Sequence, residues 1–214
     1  CVAHPLTGRY VYFWNMEHLM EKPDIALVYD NYFGDELGSD FVVGLDAESV
    51  NVMTHKYGVY DEPTACAEWF LPSLITAYIA KPYFEAMLQE LGKEHFQLLK
   101  KKLSDIGSDT IKKRRIEPTF IATAGKISGN NPFSHSFSIM VESSDGFTFQ
   151  FLIPKYSEDC DYQDLITKFM DFVNDYHLGI LTDFKVDSTD IIAGRVFVHF
   201  NEANGQMEIA PFKP

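Results

Sequence analysis

Two stretches of alternating apolar and polar residues flank the tripeptide Ser144-Asp145-Gly146, and this feature most constrains the fold. Residues 135–143 and 146–154 both show the two-residue period of a half-buried β-strand. An Asp-Gly pair between two such runs is a strong hairpin signal, because glycine readily adopts the positive φ that a tight turn requires. The sequence therefore predicts an antiparallel hairpin in the second half of the chain.

An amphipathic helix is predicted after this hairpin, over residues 161–177. Its apolar side chains recur at helical spacing, so Phe169 and Phe172 are expected on its buried face. Asp159 or Asp161 can cap its N-terminus. Further strands are predicted at 119–127, 179–187, 195–202 and 206–212. The C-terminal part is thus expected to be an antiparallel sheet with one covering helix.

The first sixty residues are predicted to be mostly β-structure. Strands are expected at 8–16 and within 24–34, and 39–58 is interpreted as two short strands around a turn. From Pro63 the pattern becomes helical. Helical segments are predicted at 64–80, 81–92 and 93–107, with Pro72 as a kink and Gly107 as a C-cap.

The predicted fold class is therefore α+β, with a β-rich N-terminal part, a central helical layer and a C-terminal antiparallel sheet. The polar, highly charged stretch 108–118 is the best candidate for a connector between residues 1–107 and residues 119–214. The two sheets can also be continuous around the helices, in which case the chain forms one domain.

The charge of the chain restricts its partners. The formal net charge is −13, and two acidic ends flank a basic middle. Phosphate backbones repel such a chain, so nucleic acid is not expected as the main partner. A protein with a basic surface is expected instead, because opposite fields accelerate encounter. The leading hypothesis is a soluble, non-catalytic protein-binding module, for example an immunity-type component of a conflict system.

The cysteines and the apolar runs indicate in which cellular compartment the protein is expected. Cys1, Cys66 and Cys160 form neither a metal-binding spacing nor a disulfide framework, so free thiols in the reducing cytoplasm are expected. The longest apolar run, 69–80, is 12 residues long, whereas a membrane span needs about 20. An alternative hypothesis is a membrane-associating effector that inserts a helix over 67–80 into a membrane surface.

A second alternative is a cysteine hydrolase. A thiol near a helix N-terminus ionises more easily, which suits Cys66 just after Pro63 and Thr64. His135, at the start of a later strand, could act as its base, and Gln150 is the amide side chain on the next strand. This order of elements resembles that of papain-like and transglutaminase-like hydrolases. The resemblance implies a nucleophile at Cys66, a base at His135 and an orienting residue at Gln150.

The bulky neighbours of Cys66 favour a different role for its thiol. Trp69, Phe70 and Leu71 predict a crowded apolar setting, which raises a thiol's pKa and opposes ionisation. We therefore expect a packed thiol rather than a nucleophile, in the first two turns of its helix. No cofactor or metal is expected, because the sequence has no HExxH motif and no phosphate-binding glycine loop that opens a helix.

Overall fold

The computed structural model describes residues 22–57, 73–114 and 131–210. Within them, seven strands form one sheet: β1 (Ile25–Asp30), β2 (Val52–Tyr57), β3 (Ile75–Ile79), β4 (Phe137–Glu142), β5 (Thr148–Phe151), β6 (Arg195–Asn201) and β7 (Gln206–Ile209). Four α-helices are described: α1 (Glu36–Val42), α2 (Lys81–Ala86), α3 (Gly92–Ser108) and α4 (Tyr162–His177). π-Helical turns follow α2 and α3, at Met87–Leu91 and Asp109–Arg114.

The sheet is mixed, with the order β2-β1-β3-β4-β5-β6-β7. The pairs β1–β2, β3–β4 and β5–β6 are parallel. The pairs β1–β3, β4–β5 and β6–β7 are antiparallel. The prediction of an α+β fold is confirmed. Strands from the first and second halves of the chain meet at the centre, where β3 lies beside β4.

The predicted hairpin and the helix after it are present. β4 and β5 pair with Glu142 opposite Thr148, and Ser143 N donates to Phe147 O at 2.8 Å to close the turn. α4 begins at Tyr162 because the Asp161 carboxylate caps it, accepting hydrogen bonds from the backbone N–H groups of the second and third helical residues. Local turn and capping chemistry therefore sets both elements.

The two faces of the sheet differ in character. Alternate residues such as Leu27, Ile139 and Phe149 face the described helices and share one large core with their apolar side chains. The opposite face carries buried polar side chains, among them Ser138 and Gln150, beside small apolar clusters. Buried polar groups need hydrogen-bond partners, so this opposite face is where a polar site can form.

The helix predicted over 64–80 is wrong in its last part, because Ile75–Ile79 form β3. This strand is buried on both faces and lies between β1 and β4. A strand covered on both sides has no polar face, so its apolar run has the same pattern as a buried helix. The segment proposed to insert into a membrane surface, 67–80, therefore ends in the middle of the sheet.

The strand predicted at the start of 39–58 is also wrong, because these residues belong to α1. Leu37 and Phe41, one helical turn apart, both pack against the core. Gly38 makes this close approach possible, because a Cβ atom there would lie 2.6 Å from the hydroxyl of Tyr29. The second strand predicted in this stretch is confirmed as β2.

Two further predictions need correction. Residues 179–187 form no strand, because β5 and β6 pair with each other and leave no free edge between them. Of the connector predicted at 108–118, Ser108 is the last residue of α3, and residues 109–114 form the π-helical turn that follows it. Gly107 is not a C-cap; it lies inside α3, where a Cβ atom would be 2.3 Å from Ile166 Cδ1. The strands predicted at 8–16 and 119–127, and residues 64–72 of the predicted helix, lie outside the described residues.

Candidate functional site

Of the three predicted site residues, the structure describes His135 and Gln150 but not Cys66. Cys66 lies outside the described residues, as does Cys1. His135 comes two residues before β4, and Gln150 lies within β5. The distances from Cys66 to His135 and Gln150 are therefore not part of the described geometry.

His135 and Gln150 line the same cavity. It lies on the face opposite the helices, near the beginnings of β3 and β4 and the end of β5, and its volume is about 20 Å³. The other lining residues are Ser73, Asn131, Phe133, Ser134, Ser138, Phe151 and Leu152. A space of this size holds a water molecule or one small polar group.

Strand register positions this cavity. Ile139 pairs with Phe151, so Ser138 and Gln150 point to the same side of the sheet, two positions apart on the diagonal. The backbone N–H of Leu74 donates to His135 O at 2.9 Å, which fixes the chain before β4 against the start of β3. Three neighbouring strands therefore set the geometry of the lining.

The imidazole of His135 is oriented by Asn131 rather than by Gln150. Asn131 Oδ1 accepts a hydrogen bond from Phe133 N at 2.9 Å, so Asn131 Nδ2 faces His135 Nε2, at 3.3 Å. In this pairing Nε2 accepts, and the proton of the neutral ring is on Nδ1. To act as a general base through Nε2, His135 would have to release its hydrogen bond with Asn131 and accept a proton there instead.

The amide of Gln150 has a separate partner. Arg195 Nη1 donates to Gln150 Oε1 at 2.9 Å, and both side chains are buried. Neither Asn131 nor Arg195 is among the residues that the sequence predicts for the site. The Asn-Pro sequence before His135 is a turn signal that marks Asn131. Arg195 has no comparable signal, because its contact with Gln150 depends on the pairing of β5 with β6.

Ser138 is the unusual member of the lining. Its side chain is 4% exposed, and its Oγ makes no hydrogen bond within the part of the chain that the structure describes. A buried hydroxyl without a partner is costly, so Ser138 marks the point in the cavity where a water molecule or polar group would be held.

A second polar cluster surrounds Glu142, at the other end of β4. Burial alone would raise the pKa of Glu142, but hydrogen bonds from Lys22, Tyr78 and the backbone N–H of Lys81 outweigh it and lower this pKa. His177 Nε2 donates to Glu142 O at 2.8 Å. Burial lowers the pKa of His177, so its imidazole is neutral at pH 7. These contacts tie the C-terminus of α4 to the sheet.

The third candidate is a negatively charged segment, residues 157–210, here called the acidic segment. It contains 11 Asp and Glu residues but only three Lys and Arg residues. Among the described residues, only Asp164 and Asp171 of these carboxylates form ion pairs. Most of the others are exposed, so the segment presents a negative surface.

Other kinds of site receive no support from the described residues. Their His, Cys, Asp and Glu side chains form no cluster that could hold a metal ion. None of the described helices is long and apolar enough to cross a membrane. Comparisons with protein-family models, curated proteins and solved structures find no match for this chain.

Proposed function

We propose that this protein is a non-catalytic protein-binding module whose partner presents a basic surface. The observation that carries the proposal is the acidic segment, in which most carboxylates are exposed and form no ion pair with another described residue. Like charges held together on a folded surface repel each other, and a cationic partner relieves this repulsion. An immunity-type protein of the cytoplasm that binds and blocks a basic protein is the form of the proposal that this charge favours.

Selection from a random peptide library tests the proposal. Phage-displayed peptides of about twelve residues are selected on the immobilised protein at low salt, and enrichment of Lys and Arg is expected. The association rate of a selected peptide should fall at least about tenfold between about 0.1 M and 1 M salt, because the screening length shortens from about 10 Å to about 3 Å.

Two matched variants decide whether the acidic segment is responsible. Each removes three exposed carboxylates, and only their positions differ. The test variant carries Asp159→Asn, Asp187→Asn and Glu202→Gln; the control carries Asp40→Asn, Asp46→Asn and Glu48→Gln. The association rate of the test variant should depend less on salt than that of the control, and the control should keep the salt dependence of the unaltered protein. Peptides without enriched cations, or binding indifferent to salt, would contradict the proposal.

A cysteine hydrolase is the second candidate function. It is favoured by one observation, that His135 and Gln150 line a single cavity. Alkylation by iodoacetamide at about pH 6 tests it, with the labelled residues located by peptide mass mapping. The hydrolase requires rapid labelling of Cys66 that is lost in His135→Ala. Cys160, whose thiol pKa burial raises, is the internal control for slow labelling. Labelling of Cys66 only after unfolding would contradict this candidate.

A further inference from the structure

The longest connection within the described residues is the loop of residues 178–194, between α4 and β6. Loops longer than about 12–15 residues without secondary structure are uncommon and are usually functional or disordered. This loop is anchored, because the ring of Phe184 lies 4.8 Å from that of Phe172 and 6.3 Å from that of Tyr176. An anchored loop presents its outward side chains in a fixed arrangement.

Two of the outward apolar side chains lie close in sequence to the C-terminus of α4. Leu178 is 43% exposed and Ile180 is 59% exposed, whereas Leu181, the next residue along, packs against the core. At this point of the loop, Leu181 is directed into the core, while Leu178 and Ile180 face water. When a partner covers exposed aliphatic side chains on an ordered surface, the free energy of the complex is lowered.

Three carboxylates belong to the segments that adjoin this apolar pair. Asp145, in the β4–β5 turn, accepts a hydrogen bond from the hydroxyl of Tyr176, two residues before Leu178. Asp175 lies in the last turn of α4, and its carbonyl accepts from Ile180 N at 2.9 Å. Asp183 follows in the loop itself. None of the three carboxylates forms an ion pair with another described residue.

Helix polarity makes this arrangement unfavourable for the isolated protein. The C-terminus of a helix is its negative end, where a cation is stabilising and an additional carboxylate is not. Asp175 adds a negative charge there. His177 contributes no positive charge at pH 7, and the nearby Lys81 is paired with Glu85 at 3.8 Å. An external cation would offset the clustered charge.

We propose that Leu178 and Ile180, with the carboxylates of Asp145, Asp175 and Asp183, form the docking site for a peptide segment of the partner protein. In this segment an apolar side chain is flanked by Lys or Arg. The inference rests on the proposed function and gives it a location, here called the Ile180 surface. The apolar side chain covers Leu178 and Ile180, and the flanking cations meet the carboxylates.

Charge selects this occupant over the alternatives. Nucleic acid and an anionic membrane would both bring phosphates towards three carboxylates, which repel them. A second copy of this chain docked through the same surface would bring two sets of carboxylates together. A basic segment with an apolar side chain complements both features of the surface.

The test uses a peptide selected from the library described above, labelled with fluorescein, and measures its affinity for the whole protein by fluorescence anisotropy. Ile180→Ser should weaken binding about tenfold or more, as is common for a side chain at the centre of an interface. Ile191→Ser is the matched control, because Ile191 lies in the same loop and is 38% exposed. It should change the affinity by less than about twofold.

A charge variant gives an independent readout. Asp183→Asn keeps the shape of an exposed side chain, and it should reduce the salt dependence of binding more than Glu158→Gln does. If Ile180→Ser fails to fold, the comparison of Asp183→Asn with Glu158→Gln by itself tests whether the Ile180 surface binds the peptide. Equal effects of the test and control variants would overturn the location and leave the proposed function intact. A library that yields no basic peptide would instead overturn the proposed function, and this inference with it.

Discussion

Replacing Phe169 by alanine should remove a large part of the stability of the fold. Phe169 is fully buried in α4, and its ring is stacked on that of Phe151 in β5, with centroids 4.4 Å apart and planes 1° apart. Removing a buried phenyl ring costs about 3–5 kcal/mol, including the cavity it leaves. The stacked pair contributes about 0.5–1.5 kcal/mol beyond area burial, so the upper part of that range is expected.

Urea unfolding followed by circular dichroism measures this change. The urea concentration at the midpoint of unfolding should fall, and the slope of the free energy of unfolding against urea concentration should stay constant. A constant slope means that the surface exposed on unfolding is unchanged, so the lower midpoint reports a loss of stability. The total stability of such a domain is about 5–15 kcal/mol, so the loss in Phe169→Ala can be a large part of it. Phe169→Leu is therefore a milder second variant, expected to cost about 1–2 kcal/mol. Leu88→Ala is the control; Leu88 is 56% exposed, and its loss should stay within about 0.5 kcal/mol. If Phe169→Ala lowers the free energy of unfolding by less than about 1 kcal/mol, the packing of α4 against the core through Phe169 is refuted.

Four other predictions concern substitutions of single residues. Gly107→Ala should destabilise the protein by about 1–3 kcal/mol in urea unfolding, although alanine favours helices, because its Cβ would overlap Ile166; a stabilised variant would contradict the packing of α3 on α4. Burial lowers the pKa of His177 in the folded state, so the unfolded chain binds its proton at higher pH. Stability should therefore fall as the pH drops below about 6.5, through the lowered pKa, and this dependence should weaken in His177→Gln. Ser138→Ala should change the stability by less than about 0.5 kcal/mol, or raise it, because the hydroxyl has no partner within the described residues. Gln150→Ala should cost about 1–3 kcal/mol, because it removes an acceptor of the buried Arg195 guanidinium; equal costs for the two variants would contradict this assignment of partners.

The sequence alone determined the elements whose signals are local. The turn at Asp145-Gly146 and the two-residue period beside it predicted the β4–β5 hairpin, because turn geometry and side-chain alternation act over a few residues. The spacing of apolar residues, with Asp161 at the start, predicted α4 and the burial of Phe169 and Phe172. The same local logic predicted β1 and the helical path from Lys81.

Only the tertiary structure decided the features that depend on neighbours distant in the chain. The run Ile75–Ile79 became a strand because β1 and β4 supply partners on both sides, and no local pattern distinguishes it from a buried helix. Residues 179–187 became a loop because β5 and β6 use each other's edges. Likewise, His135 is paired with Asn131, and Gln150 with Arg195, because side-chain partners are chosen by proximity in space. Sequence spacing restricts which residues can act together, but the register of the assembled sheet selects the pairs that meet.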